Sequence, residues 1–533
     1  MANIVGVLEN YHYLCAINHY THIPMKHNAF HLRFFLAAIF LSACSLVEAQ
    51  TSQDTVYVFL NDLPDGGVYL PPPPDTASQA FATDFLTWQY GKTIRPTDRG
   101  RQASIESLWT PEENIRVTGE ALGLSINKET TPAIWHFLHK VARTGDFCTK
   151  AAKEKYMRIR PFARMNEHTW AEFDDEEFLR TNGSYPSGHT AMGWITALAA
   201  AEIAPELQDT ILRRGYMFGE NRWIVGAHWK SDVDAGYLCA SAAFARAHAN
   251  PTYYTELEDA RAEYKNLREG GGVAPTKDGE IVFPDGLKIL PQPVDTASYL
   301  YFGDLAGYYE GKALRDSLGD RAKAGVSTKV PDIMAYFADS VDVTISQEAT
   351  PALFALLNYS IPLFKQAAHS ITEEYFRKRP YVQLAEASLI PEKEEAEKTE
   401  SSYPSGHSTR GWGMALILTE IMPQCQNGIL TKGYEYGYNR VIAGYHYLSD
   451  VQAARLVAAF AIARLHSDET FMTLLQAAKT EYQQKKSTAL NILSAGETPA
   501  TQNWYSVTGQ NIGKSKPQQT GVYIHDGEKQ WIR

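Results

Sequence analysis

His189, His228, Asp232, Lys153, Arg160 and Arg222 are residue types that can hold and transfer a phosphoryl group. Arginine presents a planar fork that matches phosphate oxygens and stays charged at any working pH. Phosphoryl transfer needs positive donors on the equatorial oxygens, one attacking group and a proton for the leaving oxygen. Lys153 precedes Arg160-Pro161 by seven positions, a spacing that predicts one helix face, two turns apart. His228 and Asp232 stand four apart and face each other if their helix extends back to His228. A carboxylate against an imidazole fixes the tautomer and stabilises the imidazolium.

Between these residues lies Gly183-Ser184-Tyr185-Pro186-Ser187-Gly188-His189-Thr190, a turn that runs into an Ala-rich helical pattern. A helix start offers free N–H groups and the positive end of the macrodipole to an anion. Gly188 lets a ligand approach that backbone closely. His189, on the first turn, is placed to donate a proton. Other readings exist for the same residues. Lone histidines near helix starts are commonly structural. Two histidines and an aspartate can bind zinc, but three cations in the constellation would repel a dication, so no metal and no cofactor is assigned. A serine hydrolase built on Ser187 would need a Gly-x-Ser-x-Gly elbow, which is absent there.

The octapeptide returns as Ser401-Ser402-Tyr403-Pro404-Ser405-Gly406-His407-Ser408, 218 positions later. Leu70-Pro71 and Asp75-Thr76-Ala77-Ser78 match Leu290-Pro291 and Asp295-Thr296-Ala297-Ser298, and Thr131-Pro132 matches Thr350-Pro351. The chain therefore holds two copies of one domain of roughly 210 residues rather than a short-period solenoid. The expected divisions are a targeting segment over 1–49, copy one over 54–268, a linker over 269–285 around Gly270-Gly271-Gly272, copy two over 286–485 and a polar tail over 486–533. Apolar residues recur at helical spacing from Pro132 through Lys155, from Thr190 to Ala204 and from Asp232 to Ala249, with Ser231 and Ser449 where N-caps belong. The expected fold is all-α, a helical bundle in each copy.

Lys153 with Arg160-Pro161, then Pro186-Ser187-Gly188-His189, then Arg222, His228 and Asp232 resemble the three-part signature of the type 2 phosphatidic acid phosphatase superfamily, which also includes the vanadium haloperoxidases. The strings Gly183 to Thr190 and Lys155 to Phe162 are similar to those of the secreted bacterial class A nonspecific acid phosphatases. The resemblance covers both copies. It implies an all-helical fold and a metal-independent phosphohistidine mechanism acting on small phosphomonoesters. Carried over, His228 is the nucleophile, Asp232 its orienting partner and His189 the general acid. Lys153, Arg160, Arg222, Ser187 and the Gly188 N–H hold the phosphate oxygens. The family has Ser before the third-motif arginine, where this chain has Asn221.

Copy two repeats the set as Arg379, Ser405, Gly406, His407, Arg440, His446 and Asp450. The position of Lys153 is Thr372, with Arg377 and Lys378 as nearby substitutes. This predicts a weakened second site. Alternatives left open are a lipid or lipopolysaccharide phosphatase, a haloperoxidase, and a phosphate-binding protein in which catalysis has lapsed.

The formal net charge of -11 argues against nucleic acid as a partner. Lys26, His31 and Arg33 ahead of the apolar run Phe34 to Ala43 read as a secretory signal, with Met25 a more natural start than Met1. Val47-Glu48-Ala49 suits cleavage before Gln50, while Leu41-Ser42-Ala43-Cys44 suits a lipoprotein anchored at Cys44. Either exit places the protein in the bacterial periplasm or beyond, as a secreted protein or an outer-membrane lipoprotein. Beyond that segment no apolar run reaches the roughly 18 residues of a membrane span. Cys148 and Cys239 are candidates for one disulfide or for small buried hydrophobes. The acidic loop with Glu172, Asp174, Asp175, Glu176 and Glu177, and the loop from Glu386 to Glu400, read as solvated loops or as lids that screen substrates by charge. The tandem copies are expected to pack as a pseudo-dimer.

Overall fold

A computed structural model describes residues 55–496 and short stretches between Trp504 and Ile532. The expected signal segment and Cys44 lie outside the described residues. Among the long helices of the described residues, four in each copy correspond: α1 (Pro132–Phe147), α2 (Gly188–Ile203), α3 (Gln208–Ile224) and α4 (Lys230–Ala247), then α5 (Pro351–Ala367), α6 (Gly406–Ile421), α7 (Gln426–Ile442) and α8 (Leu448–Leu465). The helices α6, α7 and α8 start 218 positions after α2, α3 and α4. The mostly helical expectation holds.

The central helices α2 and α6 are largely apolar and buried along nearly their whole length, as a helix enclosed by others must be. Each starts at a serine N-cap: Ser187 Oγ accepts the Thr190 N–H and Ser405 Oγ the Ser408 N–H, both at 3.4 Å. The next helix lies close because of a glycine. A Cβ at Gly215 would sit 2.2 Å from Ala197 Cβ, and one at Gly433 would sit 2.4 Å from Ala415 Cβ. Close packing of α2 on α3 brings Arg222, at the end of α3, to the start of α2.

Buried apolar residues of both copies form one continuous cluster. At its middle the copies exchange polar contacts. His248 and His466 stack with ring centroids 4.0 Å apart. His248 Nε2 meets Glu202 at 2.9 Å, and His466 Nε2 meets Glu420 at 3.0 Å. Lys479 pairs with Glu420 at 2.6 Å, and Tyr254 of copy one donates to Glu420 at 2.5 Å. Glu202, His248 and His466 place ligand atoms within 4.8 Å of one another. The ammonium on Glu420 and the hydrogen bonds already made by the rings mark this group as an ion-pair network rather than a metal cage.

Several sequence expectations are corrected. The helical pattern from Pro132 to Lys155 breaks after Phe147, and a second short helix (Lys150–Tyr156) follows. It stops at Met157, whose φ of 40° is left-handed. Arg160 is extended, as a residue before proline prefers, so Lys153 and Arg160 do not share a helix. Helix α4 starts at Lys230 and does not reach back to His228; Gly226, at φ +83°, turns the chain there. Trp229 and Tyr447, not Ser231 and Ser449, hold the N-cap positions. Cys148 and Cys239 are buried free thiols, as the second of their two readings supposed. The final helix, α9 (Glu469–Gly496), runs past position 485.

The linker contains a hairpin of β1 (Thr276–Lys277) and β2 (Glu280–Ile281). In the tail, β3 (Trp504–Ser506), β4 (Asn511–Gly513), β5 (Gly521–His525) and β6 (Glu528–Ile532) form an antiparallel sheet of order β4-β3-β5-β6. Strands this short, of three to five residues, are too brief to show an alternating period in a Gln- and Lys-rich stretch.

Candidate active site

In copy one, Lys153, Arg160, Gly188, His189 and His228 converge on a cavity of about 400 Å³. They arrive from four segments: the short helix, the extended turn before Pro161, the start of α2, and the turn between α3 and α4. Asp232, on the first turn of α4, stands behind His228. Its Oδ2 accepts the Trp229 N–H at 2.8 Å, which closes the helix start and fixes the carboxylate. His228 Nδ1 faces that oxygen at 3.6 Å. The Ser184 hydroxyl bridges them, 3.4 Å from Nδ1 and donating to Asp232 Oδ2 at 2.5 Å. Arg160 Nη1 donates to His228 Nε2 at 2.8 Å, so Nε2 carries a lone pair and Nδ1 the proton.

Sequence reasoning missed the support beneath Asp232. Arg158 Nη1 donates to Asp232 Oδ1 at 2.6 Å, and its Nη2 donates to Asp84 at 2.6 Å. Asp84 also accepts from the Ser231 N–H and hydroxyl, at 2.8 and 2.6 Å. Arg377, Asp304, Ser449 and Ser402 repeat this network around Asp450. Matching residues in the two copies were the available signal. Burial opposes ionisation of Asp232, yet Arg158 and His228 hold its carboxyl well below the usual range. Burial, with Arg160 next, pushes His228 well below an ordinary imidazole. Burial and Arg222 depress Arg160 to about 10.

His189 Nε2 donates to the Ser107 carbonyl at 2.9 Å, and the Trp109 ring lies 4.3 Å from the imidazole. Burial, then Arg222, lowers its basicity. A Cβ at Gly188 would meet Trp109 at 2.7 Å, so the glycine is what admits the indole. Lys153 Nζ donates to the Gly183 carbonyl at 2.7 Å. Ser187 is buried; its oxygen also accepts from the Thr190 hydroxyl at 2.8 Å. Arg222 is 1% exposed with Nε and Nη1 unpartnered, while Nη2 donates to both oxygens of Asp174 at 2.9 Å. One residue of the acidic loop is thus a buried carboxylate on a phosphate-type arginine, not part of a solvated run. Asn221 points elsewhere, donating to Glu106 at 2.8 Å and accepting from Arg99 at 2.6 Å.

Copy two keeps the arrangement. Arg379 Nη1 meets His446 Nε2 at 3.0 Å, and His446 Nδ1 donates to the Ser402 carbonyl at 2.7 Å. His407 Nε2 donates to Val326 O at 2.9 Å, as His189 does to Ser107. Arg440 has Nε and Nη1 unpartnered. Ser405 caps α6 at Gly406. Glu397 and Glu400 approach Arg379 at 3.6 and 3.4 Å, echoing Asp174 on Arg222. Thr372 is exposed, its hydroxyl on the His369 carbonyl at 3.0 Å. Neither named substitute replaces Lys153: Arg377 is committed to Asp304 and Asp450, and Lys378 is exposed. Arg410, at the position of Met192, donates to the Gly406 carbonyl at 3.1 Å and brings a cation that sequence comparison with copy one did not suggest.

A profile of the PAP2 superfamily matches residues 135–254 and 353–471. The chain is 41% identical over 223 residues to the non-specific acid phosphatase of Providencia stuartii, covering 42% of this chain and 90% of that protein. It is 38% identical over 238 residues to the non-specific acid phosphatase of Salmonella typhimurium, covering 44% of this chain and 91% of that protein. It is 33% identical over 201 residues to the acid phosphatase of Zymomonas mobilis, covering 38% of this chain and 76% of that protein. With two matched regions, two such sites and relatives matched over nearly their full length, the chain belongs to the PAP2 superfamily and carries its domain twice.

Proposed function

We propose that this protein is an exported acid phosphatase that hydrolyses phosphomonoesters through a phosphohistidine, chiefly in copy one. The observation that carries the reading is His228: Nδ1 backed by Ser184 and Asp232, Nε2 facing a cavity lined by Lys153, Arg160 and His189. Arg160 swings from Nε2 onto a phosphate oxygen as substrate enters, which frees the lone pair. Nε2 attacks phosphorus, the P–O ester bond breaks, and His189 gives its proton to the leaving alkoxide. The imidazolium formed at His228 is stabilised by Asp232. Water then attacks phosphorus, His189 takes its proton, and His228 is released. An alcohol in place of water gives phosphotransfer. Burial and then Arg222 depress the basicity of His189, and the negative charge of a bound phosphate opposes the effect of Arg222.

No helix among the described residues is long and apolar enough to cross a membrane. Export rests on the N-terminal pattern and on the bacterial relatives. A second reading, hydrolysis of amphiphilic esters by an anchored protein, is favoured by Phe173 and Phe178, which line the cavity and stand 49% and 57% exposed. Rapid acid-free denaturation during turnover of a radiolabelled phosphomonoester tests the mechanism. Label that is stable to alkali, labile to acid and absent from His228→Ala is expected. Label that persists undiminished in His228→Ala overturns the assignment.

A further inference from the structure

A second cavity, of about 450 Å³, lies between the two copies and shares no lining residue with the copy-one phosphate cavity. Its walls are largely apolar: the Pro71-Pro72-Pro73-Pro74 segment, Tyr185 and Leu238 of copy one, and Tyr438 and Leu456 of copy two. One charged residue reaches it from inside the core. Arg455, on α8, is 2% exposed, and its Nε has no partner. The guanidinium donates through Nη2 to the Tyr434 carbonyl at 2.9 Å and lies 4.0 Å from the Tyr434 ring. It has no ion-pair partner among the described residues. Asp234, which also lines the cavity, is taken by Lys230.

The repeat shows that a cation is not needed at this position for the fold. The counterpart of Arg455 in copy one is Tyr237, whose hydroxyl donates to the Tyr216 carbonyl at 2.6 Å. Tyr216 is in turn the counterpart of Tyr434. The same backbone contact is made with a neutral phenol in one copy and a guanidinium in the other. Asp234 acts on Arg455 only from beyond ion-pair distance, and a buried charge with no direct partner is unfavourable unless something else pairs with it. Here the unpaired charge borders a cavity of ligand size with aromatic walls.

We propose that the cavity between the copies binds a small organic monoanion, an aromatic or branched aliphatic carboxylate, with its carboxylate on Arg455 and its apolar body against the tyrosines and prolines. Asp75, Asp234 and Glu310 also line the cavity and disfavour a dianion. The site therefore takes a different ligand class from the phosphate sites.

The test is calorimetric titration of the full-length chain with benzoate, in inorganic phosphate sufficient to saturate both phosphate sites. One saturable site is expected, with benzyl alcohol, the uncharged counterpart, at least tenfold weaker. Arg455→Tyr installs the residue copy one already accommodates; it is expected to lose benzoate binding at least tenfold and to keep phosphatase turnover. Arg455→Lys retains a charge and is expected to retain measurable binding. No saturable benzoate site in the wild-type protein overturns the proposal, as does undiminished binding in an Arg455→Tyr protein that keeps its turnover. Competition by phosphate for the benzoate site would also overturn it, by placing benzoate in the catalytic cavities.

Discussion

On the proposed binding of phosphate to Arg222, Asp174 is the side chain a substrate displaces. It lines the cavity where phosphate is proposed to sit and holds Arg222, behind that lining, through both carboxylate oxygens. A hydrogen bond to a charged group contributes about 1.5–3 kcal/mol. Asp174→Asn is expected to lower the inhibition constant of inorganic phosphate by roughly tenfold; a weaker phosphate affinity in that variant would show that Asp174 orders the site rather than competes for it. Lys153→Thr imitates copy two. It is expected to reduce kcat/KM of a copy-two-inactive background by about one to two decades, and unchanged turnover would remove Lys153 from the phosphate cradle. The cations and histidines were legible because their types and order are restrictive. Asp174 was not, since a run of acidic residues on a loop looks the same whether solvated or inserted. Asp84, Arg158 and Ser184 were obscured for another reason: each is an ordinary residue whose role depends on the buried partner it meets. Only their reappearance as Asp304, Arg377 and Ser402 marks them out.

At the level of elements, position follows from how closely helices approach. Helix α3 carries Arg222, and its distance from α2 depends on Gly215 against Ala197. Gly215→Ala forces a methyl into backbone-close packing and is expected to destabilise copy one by about 1–3 kcal/mol, with a raised KM as Arg222 moves away from the start of α2. Thermal unfolding and steady-state kinetics check this; a variant with native stability and KM would show that α3 is not set by that contact. Helix identity was legible in the sequence, and helix ends less so. Periodicity continues across Cys148 and Thr149, where the chain turns, and the His228–Asp232 spacing suggested a helix that Gly226 prevents. Those two interruptions are what bring residues from separate segments to one cavity, so the functional geometry lies where the pattern is least informative.

The whole molecule is joined through Glu202, His248, Glu420 and His466. His466 has an acceptor at each nitrogen, the Ile462 carbonyl at 2.9 Å and Glu420 at 3.0 Å, an arrangement that asks for the imidazolium. Burial opposes that charge, but Glu420 and Glu202 raise its pKa above the ordinary value. A raised folded-state value means stability that is full below the unfolded pKa near 6.5 and is lost as pH rises through the folded value. His466→Gln is therefore expected to lower Tm by several degrees more at pH 6 than at pH 9; an equal loss at both would show that the ring charge does not hold the copies together. The repeat made two domains legible, but the network became visible only when equivalent residues from both copies were seen to meet. Two copies in one molecule also raise the central question of which site turns over substrate. The direct measurement is hydrolysis of a chromogenic phosphomonoester at acid pH, with and without EDTA, by the wild type, His228→Ala, His446→Ala and the double variant. The account predicts no effect of EDTA, loss of most activity in His228→Ala, a small loss in His446→Ala and none remaining in the double variant. Abolition by EDTA, or a His446→Ala variant more damaged than His228→Ala, would contradict it.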